Sequence, residues 1–357
     1  MRPRVLCGTA VAVALFATAC SGGGGTAGDA KPAPAAAATT FPVKVADCMG
    51  KETTFTEAPK KIVTSNASSL EMLLELGAGD RVIGTGFPPG KGYLPADVAD
   101  QGAKVPVLGK TAIAKEKLLG SGADLYVDTF GAMKAMGGGM GAAPTAQEFT
   151  AAGINHLYLL STACAATGKT AKTDLSDVEQ DIKRLGAVTG TLAKADELTA
   201  DMEKKTGAVA AALKDLTADQ RPGYFFFDFD SGTKQPMAVC GKQVANAVIT
   251  LAGARNVYGD CDADFKPVSW EDVVAKNPDW IQLGVRNRGS DAENQKAFDQ
   301  AEQFLRTFPA TQGLKAVQQG HFVRIGSEVT TIAGIRNADT VQQIAATIHP
   351  DLVKSGR

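Results

Sequence analysis

Lys60-Lys61-Ile62-Val63-Thr64-Ser65-Asn66-Ala67-Ser68-Ser69-Leu70-Glu71-Met72-Leu73-Leu74-Glu75-Leu76-Gly77-Ala78-Gly79-Asp80-Arg81-Val82-Ile83-Gly84 is the stretch whose reading decides the fold. Residues 61–66 are a short apolar run bounded by charge and turn formers, which reads as a buried strand. Ser68 or Ser69 is then expected to cap a helix on which Leu70, Leu73, Leu74 and Leu76 recur at helical spacing. Glu71 lies near the positive end of that helix, and Gly77 supplies its stop. Residues 81–86 form a second apolar run. Strand, helix and strand joined by short connections make a parallel α/β unit.

The same texture spreads outward. A short helical piece is expected at 115–119, a strand at 124–128, a helix at 146–152 and a strand at 154–160. After Asp174 the alternation stops. From 175 to 216 no strand pattern occurs, while Ile182, Leu185, Leu192, Leu198, Met202, Val209 and Leu213 keep helical spacing. Gly186 and Gly190 suggest a break before one long helix over 192–216, which Arg221-Pro222-Gly223 ends. Strands at 224–229, 279–283 and 321–325 then alternate with helices at 244–252, 270–275, 292–305 and 338–348. The expected architecture is α/β: two three-layer α/β lobes, 41–190 and 222–357, joined by one long bridging α-helix within 191–221. A single helix offers no flexible hinge strands, so lobe movement should be modest.

The first residues carry a different message. Arg2 and Arg4 precede an apolar run at 11–16 and then Ala17-Thr18-Ala19-Cys20, the layout of a secretory signal over 1–19. The apolar run falls well short of the ~20 residues a spanning helix needs. The small residues before Cys20 resemble the bacterial lipobox, which implies cleavage before Cys20 and lipid on its sulfur and new amino group. Ser21-Gly22-Gly23-Gly24-Gly25 opens a Gly-, Ala- and Pro-rich tether over 20–40 that cannot bury a core. Apart from Cys7 in the leader and Cys20, the chain holds Cys48, Cys164, Cys240 and Cys261, an even number for an exported protein. Four cysteines allow three pairings. Cys48–Cys164 with Cys240–Cys261 is favoured because it keeps each bridge within one half of the chain. No two of these cysteines have the close spacing of structural zinc ligands, and no bound metal is expected. In a chain of 357 residues, a net charge of -1 gives no reason to expect nucleic acid, and 44% hydrophobic residues exclude a polytopic membrane protein.

Several segments, in their order, resemble the substrate-binding proteins of ABC importers for iron–siderophore, heme and cobalamin. The opening stretch from Pro59 to Gly84 looks like that family's first strand, helix and second strand. Lys115-Glu116-Lys117-Leu118-Leu119 before Ala123-Asp124-Leu125-Tyr126-Val127 is similar to its glutamate helix and following strand. Ser269-Trp270-Glu271-Asp272-Val273-Val274 before Asn277-Pro278-Asp279-Trp280-Ile281 repeats that pattern, and Ala345 with His349-Pro350 resembles the usual ending. The segment before Pro59, with Phe41-Pro42-Val43 and Cys48, looks like an actinobacterial version. The resemblance implies the bilobed fold with a single bridging helix, an ABC permease and its ATPase subunits as partners, and an extracytoplasmic position. It also implies that Glu116 and Glu271, one per lobe, dock onto permease arginines.

Open α/β sheets bind ligands beyond their strand ends. The ligand candidates on those loops are Asn66, Ser68, Phe87, Phe130, Lys134, Asp230, Arg286 and Arg288. Arg286 and Arg288 flank Asn287 after an expected strand, with Asp291 and Glu293 their nearest acids in sequence, and suit an anionic ligand. Phe87 and Phe130 suit a flat one. Met133, Met136 and Met140 lie in a glycine-rich loop read as metal-free, and His156, His321 and His349 lack zinc spacing. Thr167-Gly168-Lys169-Thr170 is no phosphate loop, because Ala163 stands where its first glycine is needed. Neither a Gly-x-Ser-x-Gly elbow nor a His-Glu-x-x-His helix occurs. The chain reads as a monomeric, lipid-anchored solute-binding protein rather than an enzyme, with no cofactor of its own, capturing a ferric siderophore or similar bulky chelate. The alternatives are a binder of a non-iron cofactor (cobalamin or an F420-0 precursor) and a non-transport envelope lipoprotein.

Overall fold

The computed structural model describes residues 39–48, 50–131, 143–165 and 168–354. The leader, Cys20 and most of the tether lie outside the described residues, as do Met133, Lys134, Met136 and Met140. The described chain opens with an antiparallel hairpin of β1 (Val43–Ala46) and β2 (Glu52–Phe55). Then come β3 (Ile62–Thr64), α1 (Ala67–Glu75), β4 (Val82–Thr85), α2 (Ala96–Gly102), α3 (Lys115–Leu119), β5 (Leu125–Asp128), α4 (Ala146–Ala151) and β6 (Asn155–Tyr158). The sheet is parallel, in the order β4-β3-β5-β6. Ile62, Val63 and Thr64 are all buried, as a central strand covered on both faces requires.

The cap of α1 is Asn66, not Ser68 or Ser69. Its backbone is extended (φ -157°, ψ 177°), and its side-chain oxygen accepts from the Ser69 amide at 3.0 Å. The Ser69 hydroxyl accepts in return from the Asn66 amide at 3.3 Å, so Ser69 is the third-position partner of a capping box.

Two helices follow, α5 (Ser176–Thr189) and α6 (Leu192–Ala212). Gly190, at φ 74°, takes the left-handed turn between them, a conformation that favours glycine. Gly186 does not break the helix as expected. It sits inside α5, where a Cβ would stand 2.5 Å from that of Ala195, so its bareness lets the two helices close-pack. The 21 residues of α6 span roughly 31 Å at helical rise, ending short of the expected 216.

The second lobe contains β7 (Gly223–Asp228), β8 (Met237–Val239), α7 (Val244–Leu251), β9 (Arg255–Asn256), β10 (Phe265–Pro267), α8 (Trp270–Lys276), β11 (Trp280–Gly284), α9 (Asp291–Thr307), α10 (Lys315–Gln319), β12 (Phe322–Val323), α11 (Ser327–Thr331) and α12 (Asn337–Ile348). Its parallel sheet runs β12-β11-β7-β9. Both sheets therefore place their strands in the order second, first, third, fourth. An antiparallel pair, β8 with β10, stands beside the second sheet.

Alternation along β7 divides its rings between two faces. Phe225 and Phe227 join Trp270, Phe298 and Leu305 in one core, while Tyr224 faces another. That other core is continuous through both lobes: Ile62, Leu70 and Leu125 share it with Ile182 and Met202 of the paired helices and with Val248, Val341 and Ile344 of α7 and α12. The disulfides are Cys48–Cys164 and Cys240–Cys261, with Cα separations of 5.7 and 5.1 Å. The first ties the loop after β1 to the loop after β6.

Candidate functional site

Asn66, Phe87, Phe130, Asp230, Arg286 and Arg288 follow the ends of parallel strands, Ser68 lies in the first turn of α1, and Lys134 is outside the described residues. In the first lobe, Asn66 is 3% exposed and spends its side-chain oxygen on the helix cap and on the Thr129 hydroxyl at 3.2 Å. Its amide nitrogen is buried with no partner among the described residues. Ser68 is also buried, and donates across the lobes to the Ala333 carbonyl at 2.6 Å. Phe87 and Phe130 come together, ring centroids 5.1 Å apart and tilted by 59°. Phe87 has φ 33°, a strained conformation for a bulky residue, held by its amide bond to the Thr111 carbonyl and by the Ala67 amide on its own carbonyl.

Asp128, which sequence reasoning missed, orients the Phe130 side of this pair. One carboxylate oxygen accepts from the Phe130 and Gly131 amides at 2.8 and 3.2 Å, and the other meets His156 Nε2 at 2.9 Å. His156 is enclosed by Tyr126, Phe149 and Tyr158. The other histidines are also engaged. His321 stacks on Trp280 at 4.4 Å, and His349 Nε2 lies 3.1 Å from the Gly253 carbonyl. Among the described residues no group of His, Cys, Asp and Glu converges as a metal site.

In the second lobe Asp230 gathers both arginines. It accepts from the Arg286 amide at 2.6 Å and pairs with the Arg288 guanidinium. The expectation that few acids stand near enough to neutralise these arginines is corrected here: Asp230 pairs with Arg288, and Glu328 stands close enough to Arg286 to feel its charge. Burial pushes the Glu328 carboxyl above its ordinary range, opposed by the Asn287 amide that donates to it at 3.0 Å. Asn287 receives Gly289 N and Asn294 Nδ2 on its side-chain oxygen. Its own Nδ2 crosses to the Lys91 carbonyl of the first lobe at 3.0 Å.

That crossing is one of several. Arg336, just before α12, meets Glu71 of α1 with two nitrogen–oxygen contacts of 2.7 Å. Its guanidinium lies over the Tyr93 ring, 4.3 Å from the centroid. Lys172 N donates to the Gly241 carbonyl at 2.7 Å, and Asn246 Nδ2 to the Lys172 carbonyl at 2.8 Å. A cavity of about 930 Å³ is lined almost wholly by the second lobe and meets the first lobe at Gly92 and Tyr93. Tyr93 reaches it from the first lobe, and Arg286, Asn287, Arg324, Glu328 and Arg336 line it from the second, over a floor that includes Phe298 and Ile325. Of the seven expected ligand residues that are described, Arg286 alone lines this cavity.

Glu116 and Glu271 occupy matching places, each exposed at the second position of its helix, α3 and α8. Neither carboxylate has an ion-pair partner among the described residues. Val274, 41% exposed, stands one turn beyond Glu271.

Residues 62–329 match the family model of the periplasmic binding protein. An uncharacterized ABC transporter substrate-binding lipoprotein of Bacillus subtilis, YvrC, is 24% identical over 345 residues, covering 96% of this chain and 97% of its own. A cobalamin-binding protein of Halobacterium salinarum is 26% identical over 277 residues, 77% of this chain and 67% of its own. The crystal structure of a periplasmic binding protein from Veillonella parvula superimposes with a TM-score of 0.71 at 27% identity, covering 88% of this chain and 99% of that one. The repeated sheet order, the junction cavity and a match over most of its length agree: the chain belongs to the periplasmic binding protein family, as a substrate-binding protein of an ABC transporter.

Proposed function

We propose that the protein captures a bulky metal chelate, of the ferric siderophore class, between its lobes and hands it to the permease and ATPase of an ABC importer. It acts as a monomer held outside the cytoplasm by lipid on Cys20, a reading supported by the lipoprotein name of the Bacillus subtilis relative. The lobes divide at the helix pair, with 41–190 and 222–357 as the binding halves. The observation that carries the reading is the junction cavity of about 930 Å³, within the ~300–1,000 Å³ of small-molecule sites, with Arg286 on its wall. The pair Phe87 and Phe130 and the cluster of Asp230 with Arg288 are proposed to extend the ligand surface beyond the cavity. Asn66 and Ser68 support it from behind. Capture replaces catalysis, because the chelate brings its own metal and coordination shell. A corrin or another organic cofactor is the second reading, favoured by the cobalamin-binding relative.

Thermal-shift titration of the purified chain with a ferric hydroxamate, a ferric catecholate, hemin and cyanocobalamin tests both readings. A true cargo at a hundredfold excess over Kd stabilises the fold by about 2.7 kcal/mol. The Arg286→Ala, Arg288→Ala double variant should lose at least tenfold in affinity for an anionic cargo while keeping its melting temperature. Absence of any shift across the panel would refute cargo capture of this class. Glu116→Ala and Glu271→Ala should bind normally and fail in cellular uptake, because the exposed carboxylates are proposed to meet permease arginines.

A further inference from the structure

We propose that Glu71, Tyr93 and Arg336 form a cross-lobe clasp that holds the lobes in register and completes the cavity wall; it rests on the binding-protein reading for its purpose, though not for its test. Glu71 is 4% exposed on the apolar helix α1, an expensive place for a carboxylate without a partner. Burial pushes its carboxyl above the ordinary range, and Arg336 opposes that shift. The partner is supplied by the other lobe. Arg336 Nε and Nη2 each lie 2.7 Å from a separate Glu71 oxygen, a two-pronged geometry that fixes orientation as well as distance. Tyr93, 8% exposed, covers the guanidinium from the first lobe.

A buried ion pair adds little net stability compared with a well-packed apolar pair. What it supplies is an all-or-none contact. A small separation of the lobes breaks both prongs together and leaves the buried Glu71 carboxylate without its partner. Arg336 and Tyr93 both line the large cavity, so the position that closes the clasp is also the one that finishes its wall. Cargo affinity then scales with the clasped fraction, since apparent Kd is the intrinsic value divided by the competent population. These are positioning residues.

The backbone beside the clasp provides a direct readout. A Cβ on Gly334 would lie 4.0 Å from the Cβ of Ser68, within the ~3.5–4.5 Å of a disulfide. The full chain carrying Ser68→Cys and Gly334→Cys is equilibrated in glutathione buffers, and the cross-lobe bridge is quantified by peptide mapping. No cargo is needed. The bridge should form readily in this background. Adding Glu71→Gln, or Arg336→Lys, which keeps the charge but loses the two prongs, should lower the effective thiol concentration at least tenfold. Circular dichroism establishes that each variant is folded, and the lysine variant keeps the test open if the glutamine variant is not. An unchanged effective concentration in a folded variant overturns the clasp. Because the readout is independent of ligand, the clasp can fail while cargo capture stands, and the reverse.

Discussion

Replacing both cysteines of one disulfide by alanine separates the two bridges by the length of chain each closes. Cys48–Cys164 spans 116 residues and Cys240–Cys261 spans 21. If each bridge acts by restricting the unfolded chain, the first contributes about 4.8 kcal/mol and the second about 3.3 kcal/mol at 25 °C. Alanine is the better probe than serine, because Cys240 is fully buried and Cys164 nearly so, and a hydroxyl left there would add its own desolvation cost. Urea unfolding of the two double variants against the parent measures both losses. The denaturant slope should rise more for the Cys48, Cys164 variant, whose unfolded state gains more freedom and more exposed surface. A larger loss from the short loop than from the long one would refute the reasoning, and so would a loss below about 1 kcal/mol in either. The long bridge has a local role too. Cys164 follows Ala163, against which Gly131 is packed so closely that a Cβ there would come within 2.6 Å of it. Loss of the bridge should therefore loosen the Phe130 side of the cleft.

Asp181 is fully buried and accepts from the Leu160 and Ser161 amides, the Ser161 hydroxyl and Arg184, at 2.7 to 2.9 Å. Asp181→Ala strands all of these at once and should cost about 3–5 kcal/mol in chemical denaturation; a loss under 1 kcal/mol would contradict the network's role. Burial lowers the pKa of His349 from its ordinary value of about 6.5. A depressed base gives stability that is complete above that value and lost as pH falls through the folded pKa, because the unfolded chain then binds the extra proton. His349→Gln should flatten the fall in stability as pH drops below about 6.5, whereas an unaltered slope would show that the imidazole titrates freely. The raised carboxyls of Glu71 and Glu328 act in the opposite sense, losing stability as pH rises through their folded values, so comparison with the parent isolates the histidine.

What the sequence makes legible is local. The apolar runs of β3, β4, β5, β7 and β11 and the helical spacing of α5 and α6 come from nearest neighbours, and they carry the sheet alternation with them. The cap of α1 is ambiguous for the same reason: Asn66, Ser68 and Ser69 can all cap, and only the extended backbone at Asn66 decides. The hairpin of β1 and β2 left a weak signal, with Val43 and Val45 alternating against Lys44, too short to read without its partner. The site is less legible because its partners are distant. Asp230 reaches Arg288 across 58 positions, and Glu71 reaches Arg336 across 265. The acids nearest Arg288 in sequence, Asp291 and Glu293, are not its partners among the described contacts. Charge proximity along the chain therefore says little about which acids these arginines meet in the fold.

The shared core limits how the lobes can signal. Apolar side chains run without interruption from Leu70 and Leu125 through Met202 to Val248 and Ile344, so a wide opening would have to uncover part of that surface. At about 25 cal/mol per Å², exposing 200 Å² costs about 5 kcal/mol, more than half of the ~8 kcal/mol that a micromolar cargo returns. Small displacements cost far less, and the lobes meet in polar contacts suited to them: Ser68 with Ala333, Asn287 with Lys91, and Lys172 with Gly241. A permease that is to distinguish a loaded protein from an empty one then has little amplitude to read. It needs contacts on both lobes at once, so that a change of an ångström in their spacing is felt as strain on two ion pairs. Glu116 and Glu271, at the same position of short helices in the two lobes, are placed for that task under the proposed docking. The clasp of Arg336 on Glu71 would fix the reference spacing from which the change is measured.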